Sequence, residues 1–252
     1  MKYALIFAAF LASINLIYAQ EPTKASYSRI ITPKKIYLRY KHRSPDSLII
    51  PKVSNRYPGL KKALCDTSLF GGDRLDSIVK EYKETGMGLN SFYYDVFFVN
   101  KSVISLKFYS EGMGAYPSSS QDWRTLNIHT GKPHPIGAEI NAAGLKWIYT
   151  TYMALLRKRI KEERAERLKN KQESAEYDTP NIYRQLRESV DTISFNGMLS
   201  TYIFTDEGVV FTTERILPHV IQAFEIDRDW FIPYSKLMAY RLSGALVLKK
   251  KK

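Results

Sequence analysis

A run of three β-type segments between residues 92 and 129 constrains the fold more than any other feature of the sequence. The segments are Phe92–Val99, Val103–Tyr109 and Trp123–His129. The first alternates around Asp95, and the Asn100–Lys101 pair supplies turn chemistry before the second. The third leads into the Thr130–Lys132 turn, whose glycine tolerates a positive φ. The pattern predicts three antiparallel strands in a meander, with a small-residue loop between the second and the third.

A second β region is expected after a long helix. Six apolar residues lie on one face of that helix, so it must pack on another element. They are Trp147, Ile148, Tyr152, Leu155, Leu156 and Ile160. The later elements expected are a short helix over Tyr183–Val190, strands beginning near Phe195, strands at Tyr202–Phe204, Val209–Thr213 and Trp230–Ile232, and a helix over Tyr234–Leu242. These features predict the α+β class, with an antiparallel sheet built from two β regions and the long helix packed on it.

The part before residue 91 reads as an arm and a small subdomain. Prolines punctuate residues 20–58, leaving room for short strands at Ile36–Tyr40 and Leu48–Ile50. Helical spacing follows at Leu60–Leu64 and over Arg74–Tyr82, where Leu75, Ile78, Val79 and Tyr82 share a face. We therefore predict residues 20–90 as arm and subdomain and residues 91–248 as a C-terminal α+β domain that forms one compact unit with the arm.

The first 19 residues have the pattern of a secretory signal. Lys2 precedes a mostly apolar run over Tyr3–Ala12, and Ala19 stands before a polar stretch. We expect export, with cleavage after Ala19, to the periplasm or the extracellular space. No later segment approaches the length of a membrane span, so no transmembrane segment is expected in the mature chain.

The charge balance indicates anionic partners. The chain has 38 Lys and Arg residues against 25 Asp and Glu residues, a net charge of +13. Many of the cations fall at the end of the long helix, and the candidate contacts for an anionic polymer are Arg157, Arg159, Lys161, Arg164 and Arg167. The alternative is that this helix end is simply solvated. Expected export argues against nucleic acid as the partner.

Several turn motifs of the two β regions match one family pattern. They are Asn100 and Ser105 in the first hairpin, Gly114–Pro117 in the loop, Thr130–Lys132, Thr205–Gly208 in the later hairpin, and Tyr234 with Leu237 in the last helix. On these motifs the chain resembles the RsiV/PdaC-type bacterial envelope domain, which occurs at the C-terminus of a lysozyme-sensing anti-sigma factor and of a peptidoglycan deacetylase. The segment Ile49–Tyr82 is similar to the short domain that usually precedes it, and the resemblance covers residues 45–245.

The resemblance implies an α+β fold with antiparallel strands and helices on one side. It also implies a protein that binds rather than catalyses, because the deacetylase chemistry of that family belongs to a different domain.

The loop between the second and third strands holds the candidate ligand-binding residues, which are Tyr109, Glu111, Tyr116, Asp122 and Trp123. Aromatic rings held at a sheet edge stack on a sugar or a peptide. The alternative for the rings is packing in the core. Glu111 and Asp122 also flank the loop, and as an acid and base pair they would serve glycoside cleavage.

Other catalytic and metal signatures are weak. Ser118–Ser120 lack the surroundings of a nucleophile elbow. The five-residue spacing of His129 and His134 across a glycine and a proline does not suit one helix face, and no cysteine cluster completes a zinc site. With Cys65 as its only cysteine, the chain has no internal disulfide. We therefore assign no catalytic residue, no metal and no cofactor.

The function expected from the sequence is non-catalytic binding at the bacterial cell envelope. The partner would be an anionic envelope polymer, a glycan or an envelope protein. The alternative is a hydrolase that acts on cell-wall glycan or its substituents through Glu111 and Asp122. A purely structural or assembly protein is the third hypothesis.

Overall fold

Strands and helices follow one another in groups, which is the α+β arrangement predicted from the sequence. The computed structural model describes residues 27–42, 44–169, 179–217, 221 and 224–248. The strands are β1 (Ile31–Leu38), β2 (Asp46–Val53), β3 (Gly88–Val99), β4 (Val103–Met113), β5 (Pro117–Asn127), β6 (Tyr202–Phe204), β7 (Gly208–Phe211) and β8 (Trp230–Pro233). The helices are α1 (Pro58–Ala63), α2 (Asp66–Leu69), α3 (Leu75–Thr85), α4 (Ala142–Lys169), α5 (Thr179–Asp191), α6 (Phe195–Ser200) and α7 (Tyr234–Leu237).

The first sheet has five strands in the order β1-β2-β3-β4-β5. β1 and β2 form an antiparallel hairpin, and β3, β4 and β5 form the predicted antiparallel meander. β2 and β3 pair in parallel over a short stretch, because α1, α2 and α3 lie in the connection between them. The strand expected at Leu48–Ile50 is confirmed within β2. Only the first three residues of the strand expected at Ile36–Tyr40 belong to β1, which ends at Leu38.

One face of the five-stranded sheet, called here the inner face, carries the apolar core. Leu48, Phe92, Leu106 and Phe108 contribute to this core from β2, β3 and β4. The four residues predicted to share a face of α3 all pack against it, with Ile78 and Tyr82 buried and Leu75 and Val79 partly buried. The helical face predicted from the spacing is therefore confirmed.

The long helix α4 also buries the predicted stripe. Ile148, Tyr152, Leu156 and Ile160 are buried along one face. The Tyr152 ring stacks on Trp230 of β8 with 5.9 Å between ring centres, and its hydroxyl donates to the Arg228 carbonyl at 2.5 Å. Burial raises the pKa of Tyr152 to about 12. The packing of the long helix on a β region is confirmed.

The second β region differs from the prediction in three ways. The chain at Phe195–Ser200 is helix α6 rather than strand, because the Ser194 hydroxyl caps it by accepting from the Gly197 backbone N–H at 3.0 Å. The last helix ends at Leu237 and continues as a 3-10 turn over Met238–Tyr240. β6, β7 and β8 form a three-stranded sheet of their own, so the two β regions make two sheets.

The described residues group into two compact units. The first runs up to His134 and includes Ile203–Glu207, and the second comprises Pro135–Tyr202 and the chain from Gly208 onwards. The boundary predicted at residues 90 and 91 falls within β3, and that domain division stays a prediction.

Some sequence-based expectations fall outside the described residues. These are the signal segment 1–19, the start of the arm at 20–26, most of the 172–181 linker and the Lys249–Lys252 tail. Within the described ranges, no helix has both the length and the apolar character needed to cross a bilayer.

Candidate functional site

The segment predicted as a loop is the end of a β-hairpin. β4 extends to Met113 and β5 begins at Pro117, so only Gly114–Tyr116 form the turn. The two strands pair over eleven successive residue pairs without a bulge. Each side chain near the turn therefore has a defined face of the sheet.

Strand register separates the five candidate ligand-binding residues. Glu111 pairs with Ser119, Tyr109 with Gln121 and Lys107 with Trp123, which places Tyr109, Glu111 and Trp123 on the face opposite the core, called here the outer face. Asp122 pairs with Phe108 and lies on the inner side. Tyr116 is in the turn itself.

A shallow cleft of about 360 Å³ lies at this end of the sheet and is called here the hairpin cleft. Its lining consists of four serines, three glycines, Leu89, Glu111 and Met113. The Ser110 and Ser120 hydroxyl oxygens lie 2.6 Å apart across β4 and β5. Each hydroxyl can both donate and accept, so the cleft offers polar groups that match the hydroxyls of a sugar. The Glu111 side chain, one residue along from Ser110, belongs to the outer face.

Tyr116 stands beside the cleft with its ring in solvent. The residue is 78% exposed, the largest value among the exposed large hydrophobic residues. None of the ring or cation–π contacts in the described part of the chain involves its ring. Gly114, next to it in the turn, has no heavy atom within 4 Å of the position where a Cβ would stand. The Tyr116 ring is therefore largely exposed and available to a ligand.

Tyr109 and Trp123 do not offer open ring faces. The Tyr109 ring stacks on Tyr93 with 4.5 Å between ring centres and 11° between planes. The Lys107 ammonium lies 5.0 Å from the Tyr109 ring centre and 4.7 Å from that of Trp123, and Trp123 is only 9% exposed. These cation–π and stacking contacts stabilise the outer face. The packing alternative therefore fits Tyr109 and Trp123 better than ligand contact.

Asp122 belongs to a different cluster. Its carboxylate pairs with the Arg124 guanidinium at 2.6 Å, and that guanidinium also donates to the Ala63 and Ser68 carbonyls. Asp122 therefore helps to fix β5 to the helices of the inner face. The structure does not bring Glu111 and Asp122 together, because they lie on opposite faces of the same hairpin.

The candidate cations of α4 are mostly engaged within the second unit. Arg157 pairs with Asp191 at 2.7 Å, and Arg159 pairs with Asp227 at 3.1 Å. Arg167 pairs with Glu163 at 2.7 Å and lies over the Phe224 ring. Lys161 and Arg164 are exposed and take part in no ion pair within the described ranges.

The two histidines and the cysteine have local roles. The His129 Nε2 lies 2.9 Å from the Lys101 carbonyl oxygen, and His134 is buried with its ring 6.3 Å from that of Phe204. Hydrogen bonds from the Thr67 hydroxyl and the Ser68 backbone lower the pKa of the Cys65 thiol. No group of three or more candidate metal ligands occurs among the residues that the structure describes.

A second cavity, of about 470 Å³, lies in the second unit between the end of α5, α6 and residues 213–216. Its lining is rich in hydroxyls and includes Glu214 and Arg215, but it contains no aromatic residue. Phe195, next to the lining residue Ser194, is 38% exposed, but its ring packs edge-on against Tyr149 with 5.3 Å between ring centres, so it is less open than Tyr116.

Comparison with known proteins gives similarity to solved structures alone, since no family model and no curated protein match the chain. A crystal structure from Pseudomonas aeruginosa is 12% identical, covers 88% of this chain and 96% of its own, and has a TM-score of 0.49. One from Bacteroides fragilis has the same identity and the same coverage with a TM-score of 0.42. Both are DUF3298 family proteins.

Sequence reasoning missed part of the cleft. Ser110 and the Gly88–Leu89 start of β3 line it, yet neither was a candidate. The signal that would have found them is the matched length of the segments on either side of Gly114, because equal runs around a tight turn indicate one continuous hairpin.

Proposed function

We propose that this protein is an exported, non-catalytic glycan-binding protein of the bacterial cell envelope, which holds its ligand at the hairpin cleft. The single observation that carries the proposal is the exposed Tyr116 ring in the turn next to a cleft lined by four serines. A sugar ring has apolar C–H faces and polar hydroxyl edges. The Tyr116 ring can stack on the apolar face, and the serine hydroxyls of the cleft can hydrogen-bond to the sugar hydroxyls.

Binding is favoured over hydrolysis by the position of the two carboxylates. A glycosidase of the usual kind needs both carboxylates on either side of one glycosidic bond, about 5–10 Å apart. Glu111 and Asp122 lie on opposite faces of the sheet, and Asp122 is already paired with Arg124. The two carboxylates therefore do not form the pair that glycoside hydrolysis requires.

The envelope location rests on the sequence. The signal pattern of residues 1–19 supports export, and the RsiV/PdaC-type motifs support an envelope role. Export would be tested by measuring whether the full chain, expressed in a bacterium, is recovered outside the cytoplasm with a new N-terminus at Gln20.

Titration with chitotetraose, a neutral N-acetylated oligosaccharide, tests the binding site. We expect Tyr116→Ala to weaken binding about 5-fold, because one stacking contact contributes on the order of 1 kcal/mol. The matched control is Tyr37→Ala, since Tyr37 is also an exposed tyrosine (55%) but lies on β1, away from the hairpin cleft. Equal affinities for the wild type and both variants would contradict the proposal.

The same samples distinguish binding from hydrolysis. We expect mass spectrometry to find the oligosaccharide intact after prolonged incubation with the wild type and with Glu111→Gln alike. Product that accumulates with the wild type and disappears with Glu111→Gln would replace the proposal by the hydrolase alternative.

A further inference from the structure

Exposed cations are frequent on the β1–β2 hairpin. Five of its side chains are exposed lysines or arginines, and we call them the basic hairpin surface. They are Lys34, Lys35, Arg39, Lys41 and Lys52. None of them takes part in an ion pair within the ranges that the structure describes. The carboxylate of this hairpin, Asp46, is half-buried and accepts a hydrogen bond from the Tyr82 hydroxyl.

The cations of the basic hairpin surface differ from those of α4 in their ion pairing. Three of the five α4 cations expected to meet an anionic polymer are held by Asp191, Asp227 and Glu163. Those pairs cancel much of the attraction that the helix would exert on a polyanion. The five cations of the β1–β2 hairpin, by contrast, are held by no such pair within the described residues.

The cations of the basic hairpin surface are arranged along one strand. β1 is an edge strand in the sheet order, and the register pairs Thr32 with Lys52 and Tyr37 with Ser47. Lys34 thus shares one face of the hairpin with Lys52, while Lys35 shares the other with Tyr37. Arg39 and Lys41 follow at the end of β1. Cations on both sides of one extended strand suit a ligand that runs along the edge rather than a flat bilayer.

We infer that the basic hairpin surface docks a linear anionic polysaccharide along the β1 edge. The inference is independent of the proposed function, because it uses none of the residues of the hairpin cleft. The attraction is electrostatic, so affinity falls steeply with salt. Lysines on an edge strand also guard against edge-to-edge pairing of strands, which is the competing explanation for Lys34 and Lys35.

The test uses polygalacturonate, a linear carboxylated polysaccharide, with its methyl-esterified form as the neutral match. We expect the triple variant Lys34→Gln, Lys35→Gln, Arg39→Gln to lose at least about 10-fold in affinity and to show a weaker salt dependence. The control variant Lys146→Gln, Lys158→Gln, Lys169→Gln removes the same charge from exposed positions of α4 that are not candidate polymer contacts, and it is expected to bind within about 2-fold of the wild type. The neutral polymer is expected not to bind.

Four results would overturn the inference. One is a control variant that loses as much affinity as the hairpin variant, which would mean that net charge or α4 decides binding. Another is a hairpin variant that aggregates but binds the polymer normally, which would mean that the lysines of β1 serve to prevent edge-to-edge pairing of strands. The third is tight binding to phosphatidylglycerol vesicles without binding to the polymer. The last is equal binding of the neutral polymer.

Discussion

At the scale of single residues, Glu139 has the most demanding environment. Its side chain has no exposed surface, and it accepts four hydrogen bonds of 2.9–3.2 Å from the backbone N–H groups of Leu246, Val247 and Leu248. A buried carboxylate is tolerated only when donors surround it in this way. Glu139 therefore fastens the C-terminal segment to the start of the second unit.

Glu139→Gln places an amide N–H₂ where the backbone donors need an acceptor. We expect it to lower the free energy of unfolding by about 3 kcal/mol, since hydrogen bonds to a charged group contribute about 1.5–3 kcal/mol each. Urea denaturation monitored by tryptophan fluorescence measures the change. Glu166→Gln is the control, because Glu166 is exposed on α4. A loss below about 0.5 kcal/mol in Glu139→Gln would show that the carboxylate is not the fastening group.

At the scale of elements, turns decide where the strands of the first sheet stop. Gly131 has φ of 70° and closes β5 by donating its N–H to the Asn127 carbonyl at 2.8 Å. A Cβ at this position would stand 2.1 Å from the Gly59 carbonyl oxygen. The turn at Gly131 therefore contacts the first turn of α1 through backbone atoms.

Gly131→Ala is expected to destabilise the chain by about 2 kcal/mol or more, because it adds both a clash and a strained positive φ. Gly114→Ala is the matched control, since nothing lies within 4 Å of its Cβ position, and its stability should match the wild type. Thermal unfolding followed by circular dichroism gives both values. Equal melting temperatures for the two variants would contradict the close approach.

The elements that the sequence predicts well are those with a clear period. The alternation in Phe92–Val99 and Val103–Tyr109 predicts the meander, and the four-residue stripe of α3 predicts its buried face. The ends of β4 and β5 nearest the turn are not predicted from the sequence, because the glycines and serines around Gly114 favour turns when only their neighbours in the chain are considered. Only pairing with the opposite strand keeps them extended. At Phe195 the aromatic residue favours a strand, but the Ser194 cap makes a helix.

The candidate site was only partly predictable for the same reason. Tyr116 and Glu111 stand where the sequence places them, at the tip and near it. The face of the sheet on which Tyr109, Asp122 and Trp123 lie depends on the strand register. Their contacts with Tyr93, Arg124 and Lys107 form only once the strands have paired, so the sequence does not predict them. The role of Glu139 could not be predicted from the sequence, because its hydrogen-bond donors lie more than 100 residues further along the chain.

At the scale of the whole molecule, a net charge of +13 does not mean that positive charge is spread evenly. Ion pairs hold much of it on α4, whereas the basic hairpin surface keeps it exposed. The hairpin cleft and the basic hairpin surface both belong to the first compact unit. The cleft on β3, β4 and β5 and the charged surface on β1 and β2 thus lie on different strands of one sheet.

The most direct test of the central claim is hydrogen exchange of the wild type measured with and without saturating chitotetraose. The account predicts slower amide exchange within residues 110–120, with little change over 31–53 and 189–216. Saturated binding that slows exchange at residues 189–216, around the second cavity, while residues 110–120 stay unchanged would contradict it.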